Sequence, residues 1–507
     1  MFKKYLWLPT TIALATVNYA QGAGLELTQH GTKEMAHGFA GTATLLEDAS
    51  AIAHNPAGLM LLEGRQISAG LSFVHADIDY DARFMREKVE SKYGLPASEI
   101  MGPGAGNSKE LSTVPHFYYS QRISDSVAAG IGIYAPFGSG TEFPTGWSGR
   151  YHSEETQQTA VNFNPTIAFK VNDTLSLGLG VVIQKYDARL TNQLDIGYLV
   201  AEAVLETVAE QNGQAAAEAA APTVLNNYGS KEQFQVLNEI EISSVNYGFS
   251  AGLLWQPIEP LRLGINYRSQ VSHIAKGNAE RSTLDLPNFQ SDFINQVAAD
   301  TGLSVADTTT TLNKAFDERG ALGGDIVSHI YLPQLVTLSA QYELSPRLAV
   351  MSSVTYTNWS VFKEIRLEYE DRSIRGGADI TDTGNDVRRR DLVQPLYFED
   401  SWRVGLGARY EATDKTTLRA GLSFDQSPVT KAEVRTPRGP DADRTVWGVG
   451  ATVHLNQEFE IDFAYGMQYI AKADVNAREN PAGTQHRAAG HSKGTISNFS
   501  AQVNYRF

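Results

Sequence analysis

The chain has 507 residues, 42 Lys and Arg against 57 Asp and Glu, a formal net charge of −15, and no Cys. That charge argues against a nucleic-acid partner, and the missing Cys excludes a disulfide scaffold and thiol chemistry. After residue 20 no stretch reaches the roughly 18 apolar residues of a transmembrane helix. A membrane barrel stays open, because half of each barrel strand faces water.

The N-terminus has the form of an export signal. Lys3 and Lys4 give a positive start, Leu6 to Val17 form a short apolar run, and Ala20-Gln21-Gly22 supplies small residues for cleavage. Residues 1–22 are read as the signal, with the mature chain starting at Ala23; cleavage after Ala20 is the alternative. The protein is expected to be exported in a bacterium with two membranes.

Residues 23–64 hold short apolar pieces among Gly, Ala and Asp. The segment is too short for a stable soluble domain, so it is read as a hatch, or plug, inside the lumen of a barrel. Within it, Asn55-Pro56-Ala57 reads as a rigid turn, because Pro fixes its own φ and restricts the residue before it.

From Arg65 to Phe507 the pattern is that of a transmembrane antiparallel β-barrel of about 14 strands, an all-β fold. Strands are expected to start near Arg65, Ser112, Ser126, Gln157, Leu175, Glu239, Leu261, Tyr331, Leu348, Tyr397, Thr416, Asp443, Phe459 and Gly494. In each, large apolar residues alternate with small or polar ones. Leu261, Leu263, Ile265 and Tyr267, for example, alternate with Arg262, Gly264, Asn266 and Arg268. Short turns rich in Asp, Asn, Pro and Ser alternate with long connections at 81–111, 137–156, 190–238, 275–330, 371–396, 428–442 and 471–493. A barrel with periplasmic turns and external loops has this arrangement. Helices are expected within Tyr198 to Ala221 and Asn288 to Ala299, with Leu312 to Phe316 continuing the second. They are read either as a cap on the barrel rim or as an apolar landing groove.

The chain ends on a strand whose Phe499, Ala501, Val503, Tyr505 and Phe507 share one face. Tyr505 and Phe507 are read as closing the barrel in outer-membrane lipid and as the element for the barrel assembly machinery. The protein is expected to be a monomer. The 11 His form no i, i+4 metal pair and no Gly-rich phosphate loop occurs. No enzyme activity, metal or cofactor is expected.

Several motifs in order resemble one family. Ala23-Gly24-Leu25, Gly38-Phe39-Ala40-Gly41 and Ala53-His54-Asn55-Pro56-Ala57-Gly58 resemble the hatch of FadL-type outer-membrane long-chain fatty-acid transporters. Tyr134 to Gly138, Trp147 to Tyr151, Tyr356 to Phe362, Phe424 to Val429 and Pro440 to Arg444 follow. The resemblance implies passive uptake of a hydrophobic compound. Cargo would be caught at the outer loops, bound in an apolar lumen pocket, and released sideways through a gap at a kink in the third strand. The kink resembles Pro136-Phe137-Gly138. Leu25 falls where the family places an apolar side chain in the pocket, and Arg366 where a pocket Lys is expected. The second basic position aligns with Asn192, a departure; Arg189 is nearest, although alternation points it away from the lumen. Long-chain fatty acids are the expected cargo. Aromatic hydrocarbons or alkanes on the same fold are the alternative, ahead of a general porin or a surface adhesin.

Overall fold

The computed structural model describes residues 24–102, 106–229, 234–283, 289–318, 323–371, 391–479 and 483–507. The expected signal at 1–22 lies outside these residues. Among the described residues the strands form the 14 staves of one closed antiparallel barrel. They are β1 (Arg65–Arg86), β2 (Gly106–Ser124), β3 (Val127–Glu142), β4 (Glu155–Asn172), β5 (Leu175–Asp195) and β6 (Gln235–Ile258). Four interrupted staves follow: β7 (Leu261–Arg268 and Val271–Thr283), β8 (Gly324–Leu332 and Leu335–Ser345), β9 (Leu348–Thr357 and Glu364–Tyr369) and β10 (Leu392–Pro395 and Ser401–Thr413). The last four are β11 (Thr416–Asp425), β12 (Arg444–His454), β13 (Phe459–Arg478) and β14 (Arg487–Arg506). Each expected strand maps onto one stave.

The barrel closes between β14 and β1, from Gln66 opposite Arg506 to Met85 opposite Arg487. At the seam, Arg65 and Phe507 exchange backbone hydrogen bonds of 3.2 and 3.0 Å. Tyr505 stacks on Phe459 at 4.4 Å and on Phe507 at 5.2 Å. On β14, Ser500, Gln502 and Asn504 are buried while Phe499, Val503 and Phe507 are exposed. The apolar face is therefore the outer one, as lipid requires.

Several staves run well past the membrane. β1 has 22 residues, against the 9–11 or so that cross a bilayer. Its outward side chains are Ile67, Ala69, Leu71 and Phe73, then His75, Asp77, Asp79, Asp81 and Arg83. The charged upper part is laced to β14 by His491–Asp81 (3.4 Å) and Lys493–Asp79 (3.6 Å) contacts. The connection expected at 81–111 is accordingly shortened to 87–105.

The outer loops carry helices Ile196–Asn212 and Gln214–Val224, separated at Gly213 with φ +86°. A second pair, Phe289–Thr301 and Val305–Glu318, turns at Gly302 with φ +70°. Phe293, Val297 and Leu312 join Val89, Tyr198 and Leu205 in one apolar cluster, so these faces pack on each other.

Residues 24–60 are buried, apart from the half-buried Thr42 and Glu47, against inward-facing groups of staves all round the barrel. Tyr118 on β2 donates to His30 O (2.7 Å), Asn55 Nδ2 donates to Leu253 O on β6 (3.0 Å), and Ser353 on β9 donates to Phe39 O (3.2 Å). Thr32 meets Ser500 on β14 at 2.7 Å. The segment thus contacts strands on several sides of the barrel. The barrel wall accommodates it with missing side chains: a Cβ on Gly421 would lie 1.7 Å from His37 O, and one on Gly448 2.0 Å from Met35 O.

A buried ionic network holds this segment to β10–β14. Lys33 Nζ lies 2.7 Å from Glu460, 3.1 Å from Asp48, 3.8 Å from Asp462 and 3.9 Å from Glu47. Glu47 in turn binds Arg409 and Arg419, each at 2.6 Å. Asp48, Glu460 and Asp462 are close enough together to resemble a metal site, but the lysine ammonium occupies their centre.

Candidate functional site

The break in the wall begins at Tyr134. β2 and β3 pair from Ser124–Val127 up to Phe117–Ile133 and no further. Above that point β2 pairs with β1 alone, through Gly106 opposite Tyr80. β3 keeps its pairing with β4, with a register shift between Tyr134 and Phe137. Two residues, Ala135 and Pro136, there oppose Val161, which is a β-bulge. Side chains of β3 alternate between faces up to Tyr134, but residues 134–141 are all buried. The upper half of β3 has parted from β2 and is buried on both faces, while it stays paired with β4.

Unpaired backbone inside a membrane barrel costs several kcal/mol per group, by order of magnitude. Here the costs are met locally. Pro136 has no N–H to lose. Its carbonyl accepts from Leu27 N (2.9 Å), and Gly138 N donates to Leu25 O (2.8 Å). Residues 25–27 thus form a short added strand on the free edge of β3, with Glu26 opposite Phe137. Gly24 turns the chain into this position at φ +63°; any Cβ there would lie 2.9 Å from the Trp359 ring. Its N–H donates to Asp441 Oδ2 (2.9 Å), which explains part of the Pro440 to Arg444 motif.

Two apolar clusters of buried side chains meet at this added strand. One contains Leu25 and Phe137 with Tyr186, Leu190, Trp359 and Phe398. The other contains Leu27 and Ala135 with Val74, Val114, Ile470 and Ile496. The first is furnished with aromatic edges: Phe137 is 6.0 Å from Trp359, and Trp359 is 5.8 Å from Phe398. Below Phe137 the lining turns polar. The Arg268 guanidinium sits 4.9 Å over the Phe137 ring, and Arg403 pairs with Glu26 at 3.3 Å. The cavity these groups share with His30, His54 and Asn266 is about 30 Å³. That suits a water molecule or two and is too small for an alkyl chain.

The residues singled out from the sequence divide by place. Leu25, Pro136, Phe137 and Gly138 come together at the break. At Asn55-Pro56-Ala57 the Asn55 Oδ1 accepts from Ala57 N (3.1 Å), and its Nδ2 donates to Ala43 O (2.8 Å). Arg366 lies elsewhere. Ile365, Leu367 and Tyr369 face the apolar lining, so Arg366 points the other way and pairs with Glu364 (2.7 Å) and Asp391 (2.9 Å). Its assignment to the cargo pocket is corrected on that ground. Arg189 is also on the outer face, where it pairs with Glu155 and with Glu239 at 2.6 Å. Asn192 faces inward and accepts a hydrogen bond from Arg438 (3.1 Å), a residue that sequence reasoning passed over.

The family model described as outer membrane protein transport protein (OMPP1/FadL/TodX) matches residues 12–507. The chain belongs to this family. Its members are transporters of hydrophobic compounds across the outer membrane and not enzymes, and the outer membrane is the location of this protein. The long-chain fatty acid transport protein of Escherichia coli K12 is 26% identical over 494 residues, covering 95% of this chain and 96% of that one. The crystal structure of a Pseudomonas aeruginosa FadL homologue is similar with a TM-score of 0.73 at 22% identity, over 96% of this chain and 100% of that one. The Ralstonia pickettii toluene transporter TbuX has a TM-score of 0.57 at 20% identity, over 94% and 98% of the two chains. At these identities the structural likeness is one of fold.

Proposed function

We propose that this protein takes up long-chain fatty acids by passive diffusion, with a lateral exit through the wall between β2 and β3. The observation that carries this reading is the meeting of two buried apolar clusters at the added strand 25–27, beside a wall in which β2 and β3 are unpaired above Phe117 and Ile133. An alkyl chain in the first cluster needs only to pass Leu25 and Phe137 to reach the second, and from there the gap opens to lipid. A polar solute would gain nothing from such surfaces.

In this reading the signal 1–22 is removed on export and residues 23–64 act as a hatch that closes the periplasmic route. The outer-loop helices catch cargo, and the barrel assembly machinery inserts the protein as a monomer through its Tyr505 and Phe507 end. The cargo class is supported by the E. coli relative named for fatty-acid transport. The alternative, an aromatic hydrocarbon, takes support from the likeness to a toluene transporter.

Growth of a deletion strain on oleate and on toluene, each as sole carbon source, separates the two. Loss of growth on oleate alone is expected, with restoration by the gene in trans. Loss on toluene alone would transfer the function to the alternative, and unchanged growth on both would overturn the uptake reading.

A further inference from the structure

Arg268, on β7, is 5% exposed, and its Nε and Nη2 meet no acceptor among the described residues. No other arginine among those residues buries two nitrogens unpaired. Arg435 also forms no ion pair, but its guanidinium donates to three carbonyls, those of Asp441 (2.7 Å), Val429 (2.6 Å) and Asp474. Arg268 instead lines the cavity of about 30 Å³ beside the added strand, with Glu26, His30, His54, Asn266 and Arg403.

That lining is rich in donors. Arg403 Nε, His30 Nδ1 and Asn266 Oδ1 are also buried without partners. With the two nitrogens of Arg268, three of these atoms belong to guanidinium groups, which can only donate. Asn266 Oδ1 is the one fixed acceptor among them.

The charges lean the same way. Arg268 and Arg403 line the cavity against a single carboxylate, Glu26, which Arg403 already holds at 3.3 Å. Asp425 stands 3.7 Å from Arg403 but does not line the cavity. Burial holds the His30 and His54 imidazoles well below 6.5, so both rings are neutral at ordinary pH. The lining therefore has a net positive charge.

We infer that this cavity binds a halide ion, chloride under ordinary conditions, between Arg268 and Arg403. A water molecule brings donors of its own to a site already crowded with them. A halide is of similar size, only accepts, and offsets the excess charge through charge-assisted hydrogen bonds. The space is enough for about two waters, so it takes the ion and one water that donates to Asn266 Oδ1. Phosphate, sulfate and a lipid headgroup are too large for it. The ion also has a place in the wall. Arg268 sits 4.9 Å over the Phe137 ring, and Arg403 holds Glu26, the residue opposite Phe137 on the added strand. A halide bridging the two guanidinium groups braces the break in β3 from below. This does not depend on which cargo passes.

The test uses the full-length protein, purified and crystallised in detergent with bromide as its only halide. Bromide scatters anomalously at its absorption edge and water does not. One anomalous peak is expected between Arg268 and Arg403. Density there without an anomalous signal would mean water alone and would overturn the inference. Arg268→Gln in the same bromide should lose the peak, and a peak that stays would show that Arg268 does not hold the ion. Heat resistance of the barrel, read from its gel mobility, gives a second arm that needs no crystal. At equal ionic strength the wild type should unfold about 2 °C or more higher in chloride or bromide than in gluconate, which cannot enter the cavity. The difference should saturate with halide concentration and vanish in Arg268→Gln. Equal unfolding temperatures of the wild type in all three salts would contradict a bracing ion.

Discussion

Replacing Lys33 with alanine is expected to loosen the N-terminal segment by about 3–5 kcal/mol, the cost of leaving buried charge unpaired. Four carboxylates converge on that ammonium, and Asp48, Glu460 and Asp462 are as buried as the lysine. Burial alone would lower the lysine pKa, but Asp462, Asp48, Glu460 and Glu47 outweigh it and hold it well above 10.5. The sign of the pH effect follows. A raised lysine pKa contributes stability below its ordinary value that is lost only as pH rises through the higher folded value. Glu47 behaves in the opposite sense. Burial would raise its pKa, yet Arg419, Lys33 and Arg409 hold it well below 4.5, so its contribution is present above 4.5 and lost as pH falls. The wild-type segment should thus stay seated through neutral and mildly alkaline pH and loosen in acid. Lys33→Ala should be loose at neutral pH. Planar-bilayer recordings read this out: a quiet wild type, and a variant with frequent open events while its barrel still shifts mobility on heating. A variant as quiet as the wild type would mean that the network does not hold the segment.

Deleting Pro136 should cut fatty-acid uptake by about tenfold or more, since an added barrier of only about 1.4 kcal/mol has that effect. The deletion removes the extra residue of the bulge, so that Ala135 alone opposes Val161 and the alternation of β3 continues upward. It also supplies a backbone N–H where proline had none. The upper half of β3 can then pair with β2, which now ends its ladder to β3 at Phe117. The barrel should become more regular and more resistant to heating, while uptake falls. Undiminished uptake at equal surface levels would place the exit elsewhere.

Much of this was legible from residue order. The staves announced themselves because lipid on one side and water on the other force alternation. The upper reaches of the staves were not legible. On β1 the outward residues change from Phe73 to His75, Asp77 and Asp79, and charge on an outward face removes the signal that identified the strand. Arg366 was placed in the pocket by resemblance, and the turn at Trp359–Val361 that interrupts β9 hid its facing. Nothing in the sequence around Lys33 marks it as buried or paired. Its partners Glu460 and Asp462 lie 427 and more residues away. Arg438 was hidden for a similar reason: it meets Asn192 across 246 residues of chain, by way of a loop whose shape depends on Arg435 and Asp441.

The lateral route is tested most directly by photo-cross-linking with an oleate that carries a diazirine along its chain, followed by mapping of the adducts. Adducts are predicted on Leu25 and Phe137, on residues 134–142 of β3 and on residues 106–116 of β2. Adducts that instead run down the lumen to the surroundings of Lys33 and Arg506, with none on β2, would contradict a sideways exit.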